Sequence, residues 1–225
     1  MNKTFKQFLM EMETKTPKMP EFATDAAKAH IEKLMKNPKH VFQGAGYQGY
    51  VYSDDQVPGE VNRVADKSDA TTKFLRYLHD NPQLQNNQFM PKIKRVIDID
   101  SDVPTFVLEH LYSITGTPFS VDVLNQVLNQ YFTRFPNIYN SETNSVNYQL
   151  MADKIAEYIT HCIDYDNMDI IRDPALKEAI LIIKKAYAAL QRGRTLKIDI
   201  KHDNIMWRKN GDVPHLVITD PLWSF

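Results

Sequence analysis

Apolar residues recur at Phe22, Ala26, Ala27, Ile31 and Leu34, close to a helical period, and Pro38 closes the run. This predicts a helix over 22–37, with a second over 3–12. From His40 to Tyr52 the pattern changes to aromatic and β-branched residues around glycines, which predicts a hairpin. Residues 53–59 carry turn chemistry, 61–67 read as a strand, and 69–80 read as a helix with Phe74, Leu75 and Leu78 as its stripe. Two further strands are predicted over 89–99 and 104–111. Helical patterns then dominate at 120–133, 146–164 and 174–192, with a polar loop over 137–147. Strand character returns at 196–200, 204–207 and 215–219. Gly116 and Pro118 interrupt the chain where strands give way to helices. The expected organisation is an N-terminal helical extension (1–38), a region of five strands and one helix (39–114), and a mostly helical region ending in a hairpin (115–225). The class is α+β, in two lobes.

Composition narrows the function classes. The 225 residues are 43% hydrophobic and 24% charged, enough for a substantial core and unlike a disordered chain. Lys and Arg (27) nearly balance Asp and Glu (28), so no global positive field favours nucleic acid or anionic lipid. No run of about eighteen apolar residues exists to span a membrane. The charged N-terminus does not read as a signal peptide. A lone cysteine, Cys162, excludes an internal disulfide, and the expectation is a cytoplasmic protein. The seven histidines show no metal-ligand spacing among themselves or with Cys162, so no zinc site is expected. Oligomeric state is left open.

Three patterns carry chemistry. Glycine is scarce, seven in all, yet Gly44, Gly46 and Gly49 crowd into one short stretch, Gly44-Ala45-Gly46-Tyr47-Gln48-Gly49-Tyr50-Val51. Such a sequence fits a dinucleotide-binding turn, a phosphate-covering flap or an ordinary hairpin. The strand character of Tyr50-Val51-Tyr52 favours a hairpin whose backbone N–H groups cover phosphates. Next comes Val64-Ala65-Asp66-Lys67, a lysine at a strand end that could be a surface residue or could reach the phosphates as a compact point charge. The strongest pattern is Asp199-Ile200-Lys201-His202-Asp203-Asn204-Ile205-Met206, followed after a turn by Val217-Ile218-Thr219-Asp220. A hairpin there brings Asn204 and Asp220 together as hard oxygen ligands suited to Mg²⁺ shared with phosphate. Asp199 can accept a hydroxyl proton, and Lys201 can neutralise charge on a transferred phosphoryl group.

Taken in order, these patterns resemble the protein-kinase signature set over residues 42–220. The stretch from Asp199 to Pro221 is most similar to the short early serine/threonine kinases of lytic podovirus bacteriophages. The resemblance implies a protein-kinase-like fold with a strand-rich N-lobe and a reduced, mostly helical C-lobe, ATP and Mg²⁺ as cofactors, and host proteins as substrates. It implies Gly44, Gly46 and Gly49 as the flap, Val51 and Ala65 against the adenine, and Lys67 on the α and β phosphates. Asp199 becomes the catalytic base, Lys201 the phosphate-stabilising residue, and Asn204 and Asp220 the metal ligands. Residues 106–111 become the fifth strand and hinge, with backbone groups of Glu109 and Leu111 on the adenine edge and Leu108 at the back pocket.

The sequence also departs from the family. Lys197-Ile198 stand where His-Arg usually precede the catalytic Asp, and Asp220-Pro221-Leu222 replaces Asp-Phe-Gly. No glutamate lies between Lys67 and Asp80 to pair with the lysine, and only five residues follow Asp220. Two alternatives follow: a small-molecule kinase of the aminoglycoside or choline type, and a non-catalytic pseudokinase that binds a host partner.

Overall fold

The computed structural model describes residues 24–45, 49–114, 116–136, 139–140, 145–191 and 196–224; the predicted helix over 3–12 and Gly46 lie outside them. Thr24 opens helix α1 (Asp25–Met35) as its N-cap, its hydroxyl accepting from the Ala27 N–H at 3.3 Å. Strands β1 (His40–Ala45), β2 (Gly49–Asp54) and β3 (Glu60–Ala65) follow as an antiparallel meander. After helix α2 (Ala70–Asp80) and a 3-10 turn over 82–86, β4 (Ile93–Ile97) and β5 (Thr105–Glu109) complete the sheet, in the order β1-β2-β3-β5-β4.

Register fixes which side chains share a face. Val51 lies opposite Arg63, Gly49 opposite Ala65, and Arg63 opposite Phe106. Directly opposed residues of an antiparallel pair point the same way. One face therefore carries Gly49, Val51, Arg63 and Ala65. The other carries Tyr50, Tyr52 and Val64, which are buried together with Ile31 of α1. The segment read as an N-terminal extension is thus, from α1 onward, the cover of the sheet's outer face.

The remainder is helices and short ladders. Strand β6 (Tyr112–Ser113) leads to helix α3 (Val121–Tyr131), and the pair β7 (Tyr139–Asn140) and β8 (Ser145–Val146) leads to α4 (Tyr148–Asp164) and α5 (Pro174–Leu190). Ser120, Asn147 and Asp173 cap these three helices with side-chain oxygens, and Pro174 starts α5 where its missing N–H costs nothing. Strand β9 (Leu196–Ile198) precedes the hairpin of β10 (Ile205–Asn210) and β11 (Val213–Ile218), and β12 (Leu222–Ser224) returns to pair with β9. Gly211 turns the hairpin at φ +62°, a conformation that favours glycine.

Two apolar clusters result. The larger joins Phe74 and Leu78 of α2 to Leu124, Leu128, Ile155, Ile159, Ile180 and Ile183 of the later helices, and to Trp207, Leu216 and Ile218 of the hairpin. Helix α2 thus ties the sheet region to the helical region. The halves are also fastened by Arg208 of β10, which donates to both carboxylate oxygens of Glu109 at the end of β5 and to the carbonyls of Gln88 and Met90.

Several expectations shift. The strand predicted over 89–99 is shorter, because Phe89 and Met90 are buried in the turn before it. Strand β3 stops at Ala65, so it excludes Lys67. Strands β6 and β12 were not expected, being two and three residues long with no room for an alternating pattern.

Candidate active site

Two ladders build one wall of the site. Leu222 is opposite Ile198, and the next step inward is the Asp199 N–H donating to the Pro221 carbonyl at 2.9 Å. In the hairpin, Ile205 is opposite Ile218, and the Thr219 N–H donates to the Asn204 carbonyl at 2.9 Å. The segment 199–204 is therefore closed at both ends by the same returning strand. Asp199, Asn204 and Asp220 come together because the main chain leaves them little choice. Within the loop, Lys201 Nζ lies 2.6 Å from Asp199 Oδ2. The Asn204 side-chain N–H donates to the Asp199 carbonyl at 2.8 Å, which leaves the amide oxygen as the acceptor end of the side chain.

Asp220 faces the first turn of α2, where the Thr71 hydroxyl donates to its carboxylate. Burial pushes the Asp220 carboxyl up to about 6. Asp69 and Asp199 push the same way, while the Arg63 guanidinium and the Thr71 hydrogen bond pull it back. A carboxylate crowded by two others and short of water is a position where a divalent cation relieves repulsion. Among the described residues no group of three or more His, Cys, Asp or Glu side chains could hold a metal ion alone. Asn204 and Asp220 thus fit Mg²⁺ only as a shared ion, the rest of its oxygens coming from phosphate or water.

The sheet supplies the other wall. Val51 and Ala65 share its inner face with Gly49, as the register requires. Gly44 pairs with Val51 beyond an irregularity at Phe42/Gly44. Arg63 lies on this same face and reaches Asp69, Nη2 to Oδ2, at 3.1 Å, with 12% and 8% of the two side chains exposed. Asp69 also caps α2, accepting from the Thr72 N–H at 2.9 Å. This is the basic–acidic link between β3 and α2 that sequence reasoning sought for Lys67 and did not find.

Lys67 is placed elsewhere. Its ammonium pairs with Asp102, both more than half exposed, and its backbone N–H donates to the Asp102 carbonyl at 2.9 Å. The charges acting on Lys67 are Asp102, Asp66 and Arg76, whereas those acting on Asp220 are Arg63, Asp69 and Asp199. The two sets share no member. The cause is Asp66. It is buried and accepts from the Ser68 N–H at 2.7 Å and the Thr24 hydroxyl at 2.9 Å, bending the chain out of the strand before Lys67. The signal for Arg63 was present in the alternation, since residues 63 and 65 must share a face.

The hinge expectation changes in part. The Glu109 N–H donates to the Lys92 carbonyl at 3.2 Å, and its carboxylate is held by Arg208 and the Lys92 N–H, so Glu109 is committed within the fold. Leu111 is half-buried in the link between β5 and β6, and its N–H makes no backbone hydrogen bond among the described residues. Leu108 is half-buried, opposite Val61 and Ile93.

Beside the loop runs an open groove of about 470 Å³ between α4 and residues 200–202. Asp153, Glu157 and Asp164 line its helical side, and Lys201 and His202 its loop side. His202 is held between Asp153 and Asp203, each 3.1 Å away. Sequence reasoning missed this groove because its acidic residues are spread along a helix that reads as an ordinary amphipathic one. Among the described residues no helix is long and apolar enough to cross a membrane.

Neither a family model nor a curated protein matches the sequence. Among the solved structures that are similar are two phosphotransferases. One is an ADP-bound aminoglycoside phosphotransferase APH(2'')-Ib, 12% identical, covering 89% of this chain and 71% of that one with a TM-score of 0.35. The other is a streptomycin–ATP ternary complex of APH(2'')-IIa, 11% identical over the same shares, also with a TM-score of 0.35. Similarity of this degree leaves the function to be argued from the chain's own residues.

Proposed function

We propose that the chain is a Mg²⁺- and ATP-dependent phosphotransferase, a minimal serine/threonine protein kinase of the lytic-phage type that acts on host proteins. The observation that carries this is the convergence of Asp199, Lys201, Asn204 and Asp220 at the junction of the two ladders. Asp199 would accept the proton of an acceptor hydroxyl, and Lys201 beside it would take up charge on the transferred group. Mg²⁺, when bound, would neutralise phosphate charge. Asn204 and Asp220 would hold it. The sheet face with Val51 and Ala65 offers an apolar seat for the base. The phage character and the protein acceptor rest on the stretch Asp199 to Pro221 and its resemblance.

A second reading is favoured by the groove. Three carboxylates beside the Asp199 loop suit a small cationic acceptor molecule in place of a protein. Incubation with Mg²⁺ and γ-labelled ATP, with and without bacterial extract, separates the readings. Label on proteins that disappears with Asp199→Asn is the expected result. Label only in small molecules selects the second reading. Tight ATP binding without transfer selects a pseudokinase.

A further inference from the structure

We propose that Arg63, not Lys67, is the cation that meets the nucleotide phosphates, and that residue 49 is glycine to make room for its guanidinium; this rests on the phosphotransferase reading above. The placement of Arg63 carries the argument. It projects from the sheet face that also bears Val51 and Ala65, next to Gly49, and its charge acts on Asp220. A Cβ built on Gly49 would lie 2.6 Å from Arg63 Nη1, 2.8 Å from Cζ and 3.0 Å from Nη2. The whole guanidinium therefore lies against the start of β2, where any side chain would displace it.

Its hydrogen bonding is incomplete in one direction. Nη2 is paired with Asp69, but Nη1 is buried and, among the described residues, has no hydrogen-bond partner. A buried charged donor without an acceptor is unfavourable, and a fold keeps one where a partner arrives from outside. The neighbours say which partner. Asp69 holds one edge, Gly49 at the start of β2 lies against the guanidinium, and Asp220 feels its charge. A phosphoryl group entering there, with a divalent cation toward Asp220, matches the planar fork of an arginine better than a point charge. Lys67 has none of these relations: it is exposed, bound to Asp102, and outside the strand.

The test is titration of ADP and of adenosine, both with Mg²⁺, against the full chain and its variants. The wild type is expected to bind both. Arg63→Gln should weaken ADP at least tenfold and leave adenosine within twofold, because only the phosphates are deprived of a partner. Gly49→Ala should weaken ADP threefold or more with adenosine little changed, since the methyl group takes the guanidinium's place. Lys67→Gln should leave both within twofold. Thermal melts verify that each variant is folded, and Arg63→Lys, which keeps the charge and loses the fork, should fall between wild type and Arg63→Gln. Loss of ADP in Lys67→Gln with Arg63→Gln unaffected overturns the assignment. Equal loss of ADP and adenosine in Arg63→Gln also overturns it, by making Arg63 a support for the site's shape. A wild type that binds neither ligand overturns the phosphotransferase reading itself, a result distinguishable from the other two.

Discussion

The two walls of the cleft are held by different means. On the loop wall, main-chain hydrogen bonds at 199–221 and 204–219 fix the positions of Asp199, Asn204 and Asp220, and β10 and β11 behind them are buried in the larger apolar cluster. On the sheet wall, side chains do the holding: Arg63 is set by Asp69, Asp69 by the start of α2, and the sheet's outer face by a small cluster with α1. A wall fixed by backbone tolerates changes to its functional side chains without losing shape. A wall fixed by side chains couples the two, so a single replacement moves its neighbours.

The largest effect that tests this contrast is expected at Trp207, fully buried behind the loop wall. Trp207→Ala should lower stability by about 3–5 kcal/mol, read as the denaturation midpoint at constant slope. A loss under about 1 kcal/mol would mean that the loop wall does not draw on that core.

On the sheet wall, Asp69→Ala removes a helix cap and leaves a buried guanidinium without its counter-charge. The expected loss is about 2–4 kcal/mol. Pairing it with Arg63→Gln should give a sum well short of additive, because either change alone breaks the same link. Strict additivity would show that the two side chains are energetically independent.

The smallest effect has the opposite sign. Burial and two neighbouring carboxylates raise the Asp220 carboxyl from 3.8 to about 6, so in the fold its ionised form is disfavoured. Asp220→Asn keeps the acceptor for Thr71 and should raise stability at pH 7 by about 1–2 kcal/mol without Mg²⁺. The unfolded chain releases this proton first, so the gain is complete above about pH 6, declines as pH falls, and is absent below about pH 4. A gain that persists at pH 3 would assign it to packing and not to charge. The same variant should lose Mg²⁺-dependent nucleotide binding, since stability and ligand capture compete at this carboxylate.

Much of this arrangement was legible in the sequence where local rules are strong. The spacing Asp199 to Asn204 and the hairpin before Asp220 brought the loop wall together, because a tight turn at Gly211 sets the register of everything above it. The α2 helix announced itself by its apolar stripe and α4 by its helical pattern, and the structure adds the caps Asp69 and Asn147. The strand reading over 61–67 ran past Ala65, where the strand ends. The break there comes from Asp66 bonding to Thr24, a residue 42 positions away that no local pattern reveals. Arg63 was passed over because an arginine next to Val64 reads as a solvent-facing residue until its neighbour Gly49 is placed. The groove along α4 and the return of β12 to β9 are likewise tertiary facts.

From β10, Arg208 grips the end of β5 and the turn before β4 with one planar group. Two domains joined by a bare linker swing like a door. Two domains joined through such a rivet flex like a bent leaf spring, with strain spread along the leaf and almost none at the fastening. Rotation of the sheet region about the connection near Glu109 would have to break these bonds.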